Sequence, residues 1–502
     1  MMLEMLGSII SSLFSLDCLL FINLGLFAGI IIGALPGLTA TLGVALLMPM
    51  TFGMDMISGI VLLLGVYCGG IYGGSITAIL IKTPGTPASA ATAMDGYPLA
   101  QQGKAGVALD VALKASVFGG LFSALVLLVA APQVANFALT FSAVEYFSLA
   151  LFGLTIISSI SGNNQIKGLI AGMLGLLVSC IGTDPINGTS RFIFQVQLLS
   201  GVDVIPAMIG LFAITEIISK STSVYRSEGE VQKFSNKGIS TKEFWSMWPN
   251  LLRSSAIGTF IGAVPGTGAT TSSFLAYNEA KRASKHKEMF GKGSLEGIAA
   301  SESANNGVTG ATLIPLLTLG IPGDTVTAIL LGAFMMQGIT PGPLLISTHP
   351  ETIYTIMLSL ILVNLFMLLQ GKFFVRIFAN VTKIPVVLLI PLLVNLCMLG
   401  SYACNNSLFD VKLAIIFGIL GFVMILLDIP LTPMVIAMVL GDIAESNMRR
   451  GVAMSSGDYS IFFTRPVSLF FILIAALSLL YPTIKYFVRR YRAGKNSSGL
   501  EG

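Results

Sequence analysis

Residues 29–41 read GIIIGALPGLTAT, and residues 258–270 read GTFIGAVPGTGAT. The two segments align without a gap and are identical at 8 of 13 positions, including a shared Gly-x-x-x-Gly-Ala-x-Pro-Gly skeleton. Composition alone would seldom place these residues in register, so the alignment indicates that the two halves of the chain are duplicated. A weaker correspondence pairs Thr83-Pro84-Gly85-Thr86 with Ile321-Pro322-Gly323-Asp324.

The sequence around these segments is that of a membrane protein. The chain has 502 residues, of which 54% are hydrophobic and only 10% charged, and its mean hydropathy is +0.86. One helical crossing needs about 20 apolar residues. Apolar runs follow one another from Leu19 to Val488 with short polar gaps. We therefore expect an all-α polytopic membrane protein with roughly 10–13 hydrophobic segments.

Charge, cysteine and histidine content exclude several classes of protein. The formal net charge of +4 is too balanced to indicate a nucleic-acid partner. Five cysteines without paired spacing and two distant histidines predict neither a disulfide framework nor a metal cluster. We expect no cofactor. A cleaved signal peptide needs basic residues before its apolar segment, but no basic residue precedes Lys82. The first apolar segment is therefore predicted to be retained.

Composition shifts divide the chain into four parts. Residues 1–219 form the first predicted membrane repeat, and the charge-rich residues 220–250 form a cytoplasmic polar connector. Residues 251–465 form the second repeat. Residues 466–502 provide a final transmembrane helix and a basic tail, which the abundance of lysine and arginine places in the cytoplasm.

The charges that flank the two aligned segments predict opposite orientations. Basic residues lie on both sides of the apolar segment 251–277, which indicates a re-entrant hairpin that opens toward the cytoplasm. These residues are Lys220, Arg226, Lys233, Lys237 and Lys242 before the segment with Arg253 at its start, and Lys281, Arg282, Lys285, Lys287 and Lys292 after it. The segment 19–50 has only Glu4, Asp17 and Asp55 nearby, as expected for a hairpin that opens outward. The sequence thus predicts two inverted-topology repeats with re-entrant or broken helices.

Four Pro-Gly pairs interrupt these apolar segments, at residues 36–37, 84–85, 265–266 and 322–323. Proline removes a backbone donor and glycine readily adopts a positive φ, so each pair is expected to end a helix. Unwound backbone at membrane depth must be buried in protein or face water. Four such breaks in repeated positions favour a polar binding site over kinked structural helices.

The residues around the breaks suit an anionic substrate. Hydroxyl groups and free backbone N–H groups replace the water around a carboxylate at modest desolvation cost. The predicted substrate-binding residues are Gly37, Thr39, Thr41, Lys82, Thr83, Gly85, Thr86, Gly266, Thr267, Gly268 and Thr270. A charge inside the membrane is a functional candidate by default, although the side chain of Lys82 can also extend to the membrane interface.

A polar stretch, SESANNG at residues 301–307, opens the apolar run that leads to the fourth break. Amide and hydroxyl oxygens near unwound backbone are ligands for a sodium ion, and Glu302 or Asp324 could instead carry a proton. The alternative for Glu302 is a cap at the cytoplasmic end of its helix. The predicted coupling-ion residues are Asn305, Asn306, Gly323, Asp324 and Thr325.

Two other functions remain open. The chain has no P-loop motif, so it does not hydrolyse ATP through one. An intramembrane aspartyl hydrolase would need two apposed carboxylates, and nothing in the sequence places Asp324 and Asp442 together. An anion channel is the other alternative, but duplicated sites of opposite orientation suit alternating access better than a static pore. We therefore expect a transporter and not an enzyme.

With these residues considered, the chain resembles the large membrane subunit of the tripartite tricarboxylate transporter family. The resemblance covers nearly the whole chain and is strongest at residues 33–37, 72–87, 95–98 and 302–324. It implies a secondary transporter of the bacterial inner membrane that imports citrate-like or other carboxylates on a sodium or proton gradient. It also implies two partners, a small membrane subunit and a periplasmic solute-binding protein.

Overall fold

The structure, a computed structural model, describes residues 2–160, 165–184, 186–222, 238–266, 268–382 and 388–478. In chain order the helices are α1 (Met2–Leu13), α2 (Leu16–Gly33), α3 (Ala40–Leu47), α4 (Met56–Ile81), α5 (Ser89–Leu99), α6 (Ala105–Ala138), α7 (Ala143–Ile160), α8 (Gln165–Ser179), α9 (Val204–Met208), α10 (Thr215–Thr222), α11 (Thr241–Ser246), α12 (Trp248–Ala263), α13 (Gly268–Ala283), α14 (Leu295–Ala311), α15 (Leu313–Leu319), α16 (Thr325–Met336), α17 (Leu345–Thr348), α18 (Pro350–Phe373), α19 (Val375–Val381), α20 (Ile390–Asn405), α21 (Leu408–Leu426), α22 (Thr432–Met454), α23 (Ile461–Thr464) and α24 (Pro466–Ser478). Two short antiparallel strands, β1 (Gly182–Thr183) and β2 (Ser190–Arg191), lie between α8 and α9.

The helices have the length and composition of membrane segments. Among the described residues, six helical stretches are long and apolar enough to cross a membrane, and six shorter helices of 10–17 residues are also apolar. The helix α4 has 26 residues, enough to span about 39 Å at 1.5 Å per residue. The prediction of an all-α multi-pass membrane protein is confirmed.

All four Pro-Gly pairs fall between helices. The helix α2 ends at Gly33 before the first pair, and α4 ends at Ile81 before the second. In the same way α12 ends at Ala263 and α15 ends at Leu319. A new helix starts after each break, as α3, α5, α13 and α16. The expected helix breaks are therefore present, and each one leaves several residues of non-helical backbone.

A glycine in each of the two aligned segments brings its helix into close contact with another helix. A Cβ atom on Gly29 of α2 would collide with the backbone of Val66 on α4. A Cβ on Gly258, the aligned residue of α12, would collide with the backbone of Ala304 on α14. Small residues permit this close approach between apolar helices, where the backbones themselves are in contact. The same type of packing thus occurs at two glycines that the sequence alignment pairs.

The helices α4 and α14 run in opposite directions. The hydroxyl of Tyr67 lies 3.3 Å from the hydroxyl of Thr312, near the end of α14. Further along α4, the hydroxyl of Ser75 donates to the carboxylate of Glu302, in the middle of α14, at 2.6 Å. Moving forward along α4 therefore means moving backward along α14, as in an antiparallel pair.

The chain contains two compact units. The first comprises Met1–Leu139 and Asp203–Val423, and it contains all four breaks and the polar stretch of α14. The second comprises Thr140–Val202 and Met424–Gly502. These units differ from the halves expected from the sequence, because each takes residues from both. The division into repeats stays a prediction.

In the second unit, α22 packs on α7 and α8, and the β-hairpin follows α8. The carboxylate of Asp184 accepts hydrogen bonds from the backbone N–H groups of Ile186 and Asn187 at 2.8 and 3.0 Å. The guanidinium of Arg449 donates to the same carboxylate at 2.7 Å. The backbone N–H groups of Asn187 and Ile186, assisted by Arg449, lower the pKa of Asp184 to about 2.

Candidate functional site

The breaks lie against one another in two pairs. A Cβ on Gly85, in the second break, would collide with the carbonyl oxygen of Gly33, which ends α2 just before the first break. In the second pair, the backbone N–H of Gly266 donates to the carbonyl of Gly323 at 2.8 Å. The structure therefore brings Gly266 and Gly323 together, and it places Gly85 beside the helix that leads into the first break.

The first and third breaks share a backbone conformation. Gly37 has a φ of +81° and Gly266 a φ of +83°, in the left-handed region that favours glycine. After the first break, the hydroxyl of Thr39 accepts a hydrogen bond from the N–H of Leu42 at 3.2 Å and so caps α3. Thr41 lies in the first turn of α3.

The remaining candidates lie in the second break or directly after the third. Thr83 and Thr86 occupy the second break, where the hydroxyl of Thr86 accepts from the N–H of Ser89 at 3.3 Å. Gly268 begins α13, with Thr270 in its first turn. Thr267 lies outside the described residues.

Lys82 ends α4 in an unusual conformation. Its φ is +58°, which is uncommon for a residue with a side chain, and it forms the C-cap of the helix. The residue is exposed, and its ammonium lies 5.7 Å from the ring centroid of Tyr97 on α5. Its ammonium is therefore accessible at the surface of the described residues and lies over an aromatic ring.

Asp324, at the fourth break, accepts hydrogen bonds from groups in both halves of the sequence. Its carboxylate accepts hydrogen bonds from the N–H of Thr327, at 2.8 Å, and from the hydroxyl of Tyr67 on α4, at 2.7 Å. The first of these bonds caps α16, which begins at Thr325. Asp324 thus links the fourth break to a helix from the first half of the sequence.

Asn305 and Asn306 lie in the middle of α14 and are almost completely buried. Neither polar atom of the Asn305 side chain has a hydrogen-bond partner among the described residues, and the same holds for the amide oxygen of Asn306. Buried polar groups nearly always have partners, so these unpartnered amide atoms are candidates to bind an ion, water or substrate group. These two residues lie on α14, whereas Gly323, Asp324 and Thr325 lie at the fourth break.

Glu302 occupies the most polar buried position of α14. The side chain is fully buried, and its carboxylate accepts hydrogen bonds from Ser75 of α4, Ser116 of α6 and Thr92 of α5. The Ser75 and Ser116 contacts measure 2.6 and 2.9 Å. The alternative that Glu302 caps its helix is wrong, because Ser294 is the N-cap of α14 and Glu302 lies two turns further on.

Sequence reasoning did not identify the residues that surround Glu302. Their shared signal is a hydroxyl side chain within an apolar helix, which is too common to single out any position. Among the described residues, no three His, Cys, Asp or Glu side chains form a group that could hold a metal ion. The first unit thus has a polar centre, which consists of the carboxylates of Glu302 and Asp324, the amides of Asn305 and Asn306, and the hydroxyls that contact Glu302.

Comparison with known proteins identifies the family to which the chain is similar. The model of the tripartite tricarboxylate transporter TctA family matches residues 19–436, which include all four breaks and α14. No solved structure matches the chain.

Two curated relatives come from Agrobacterium vitis, and both are described as uncharacterized. The chain is 38% identical over 445 residues to a 52.8 kDa protein in the TAR-I ttuC' 3' region, covering 88% of this chain and 89% of the relative. It is 37% identical over 231 residues to a protein in the TAR-II ttuC' 3' region, covering 45% of this chain and 96% of that relative. The chain belongs to the tripartite tricarboxylate transporter TctA family, and it is a multi-pass membrane subunit that functions with the other subunits of such a transporter.

Proposed function

We propose that this chain imports citrate-like tricarboxylates or other carboxylates by secondary active transport, driven by a sodium or proton gradient. Its partners are a small membrane subunit and a periplasmic solute-binding protein that delivers the carboxylate. The location is the inner membrane of a bacterium, with the C-terminus in the cytoplasm. The C-terminal residues 479–502 lie outside the described part of the chain.

The observation that carries this proposal is the pairing of four helix breaks within one unit. Broken helices at membrane depth are typical of transporters, in which free N–H groups bind anionic substrates and free carbonyls bind cations. The substrate then lies between the first and third breaks, at Gly37, Thr39, Thr41, Gly266, Thr267, Gly268 and Thr270, with Lys82, Thr83, Gly85 and Thr86 of the second break beside it.

The helix packing supports an inverted repeat. Val66 contacts Gly29, and Ala304 contacts the aligned Gly258. The same sequence offset that pairs Pro84 with Pro322 also pairs Val66 with Ala304. The helices α4 and α14 are therefore equivalent if the halves are repeats. Equivalent helices that run antiparallel are related by an axis perpendicular to their length, which is the geometry of an inverted repeat.

The coupling ion is proposed to bind near α14 and the fourth break. The unpartnered amides of Asn305 and Asn306 offer oxygen ligands, and Gly323, Asp324 and Thr325 offer a carboxylate and backbone groups. A sodium ion would be coordinated directly by such neutral and anionic oxygens. A proton would instead require a carboxyl group such as that of Asp324 or Glu302.

The test is uptake by proteoliposomes that contain this chain and its small subunit, with purified binding protein outside. Labelled citrate and smaller carboxylates are offered under an imposed sodium gradient, an imposed proton gradient, or neither. We expect accumulation above the external concentration under one of the gradients. Equilibration without accumulation would indicate a channel, and uptake that requires ATP without an ion gradient would overturn secondary transport.

A further inference from the structure

Lys220 lies against the first break. A Cβ atom on Gly37 would be only 2.9 Å from the ammonium nitrogen of Lys220 and 3.1 Å from its Cε. The sequence placed Lys220 in the polar connector 220–250, but α10 continues through it to Thr222 and directs its side chain to the break. No feature of the local sequence predicts this contact, because it joins residues far apart in the chain.

The ammonium of Lys220 already has an anionic neighbour that a substrate could replace. The carboxylate of Glu216, one turn earlier on α10, lies 3.6 Å from it. Both side chains are about one quarter exposed, at 25% each. Because the pair is partly open and its atoms are 3.6 Å apart, a carboxylate that reaches the first break can compete with Glu216 for the lysine ammonium.

Lys220 also differs from the lysine next to the second break. Lys82 is exposed and its ammonium lies over the ring of Tyr97. Lys220 is instead in contact with Gly37, one of the residues proposed to bind substrate. A lysine ammonium is a compact charge on a flexible stem, which can follow a carboxylate group through a small movement.

We propose that Lys220 pairs with a carboxylate group of the transported substrate at the first break and exchanges Glu216 for that group. The inference rests on the proposed function and adds a charge-specific residue to the same site. In the absence of substrate, Glu216 holds the ammonium close to the break. A substrate with several carboxylate groups places one of them on Lys220, while hydroxyl and backbone N–H groups bind the others.

The experiment measures citrate binding to the purified transporter and citrate uptake by proteoliposomes. Lys220→Gln removes the charge, Lys220→Arg keeps it, and Lys242→Gln, at an exposed lysine of α11, is the matched control. A hydrogen bond to a charged group corresponds to about a tenfold to hundredfold change in affinity. We expect Lys220→Gln to raise the Kd and KM for citrate by that factor, with Lys220→Arg within a few fold of wild type and Lys242→Gln unchanged.

A second variant separates charge from folding. Lys220→Cys is purified and then treated either with 2-aminoethyl methanethiosulfonate, which restores a positive charge, or with the uncharged methyl methanethiosulfonate. Unsubstituted protein treated in parallel accounts for the native cysteines. We expect only the charged reagent to restore citrate affinity. Equal affinity after both treatments, or a normal Kd for Lys220→Gln, would overturn the role of Lys220 alone. Wild-type protein that binds no carboxylate would overturn the proposed function as well.

Discussion

Replacing Glu302 tests whether its hydroxyl partners depend on it. Glu302→Leu removes the acceptor of the Ser75 and Ser116 hydroxyls, whereas Thr92 also lies 3.0 Å from the hydroxyl of Ser301 and keeps a partner. A buried hydroxyl without a partner costs about 1–3 kcal/mol, so the two serines together correspond to about 2–6 kcal/mol. Hydrogen bonds from these serines to carbonyls of their own helices would reduce the loss.

Glu302→Gln is the control for this change, because it also lacks the negative charge. Ser75 and Thr92 both donate to Oε1, which the glutamine amide oxygen can replace. Ser116 donates to Oε2, and its hydroxyl can rotate to accept from the glutamine NH₂ group. We therefore expect Glu302→Gln to unfold close to wild type and Glu302→Leu to be less stable than Glu302→Gln.

The measurement is the free energy of unfolding in mixed micelles titrated with sodium dodecyl sulfate, followed by circular dichroism. Glu288→Leu, at an exposed glutamate, should remain within about 0.5 kcal/mol of wild type. Equal stabilities for the leucine and glutamine variants at position 302 would refute the reasoning, because the serine hydroxyls would then not require an acceptor at this position.

Three further predictions follow from described contacts. Tyr67→Phe removes the hydrogen bond to the Asp324 carboxylate and should lower the free energy of unfolding by about 1.5–3 kcal/mol in the same titration. The pKa of Asp184 in the folded state is about 2, below its ordinary value, so its stabilising effect is complete above about pH 4 and lost as the pH falls through 2. The melting temperatures of wild type and Asp184→Asn should thus differ at pH 7 and converge toward pH 2, and a constant difference would contradict this linkage. Gly258→Val would push α12 away from α14 and should abolish accumulation of folded protein in membranes, whereas Gly7→Ala, where nothing lies within 4 Å, should not.

The helix breaks could be predicted from the sequence because their cause is local. A proline cannot donate its backbone N–H, and the glycine that follows accepts a left-handed conformation, whatever lies nearby. Gly37 and Gly266 adopt nearly the same positive φ, whereas Gly85 and Gly323 have no positive φ, so the proline is the cause that all four breaks share. The membrane-spanning character was equally accessible, since it depends on composition and segment length.

The hydroxyl partners of Glu302 could not be predicted, because they come from distant parts of the chain. Glu302 meets hydroxyls from α4, α5 and α6, and each of these serines or threonines is unremarkable in its own helix. The contact of Lys220 with the first break was missed for the same reason, since the sequence placed this residue in a polar connector. Side-chain contacts between helices depend on their packing, and here that packing is set by glycines such as Gly258.

The orientation of α4 relative to α14 in the membrane tests the inverted repeat most directly. Met54 precedes α4, and Lys292 precedes α14 at the equivalent end. Single cysteines at these two positions are labelled with a membrane-impermeant maleimide in right-side-out and in inside-out vesicles. We expect Met54→Cys to react only from the outside and Lys292→Cys only from the cytoplasmic side. Labelling of both cysteines from the same side would show that the halves are not inverted and would contradict a substrate site between opposed hairpins.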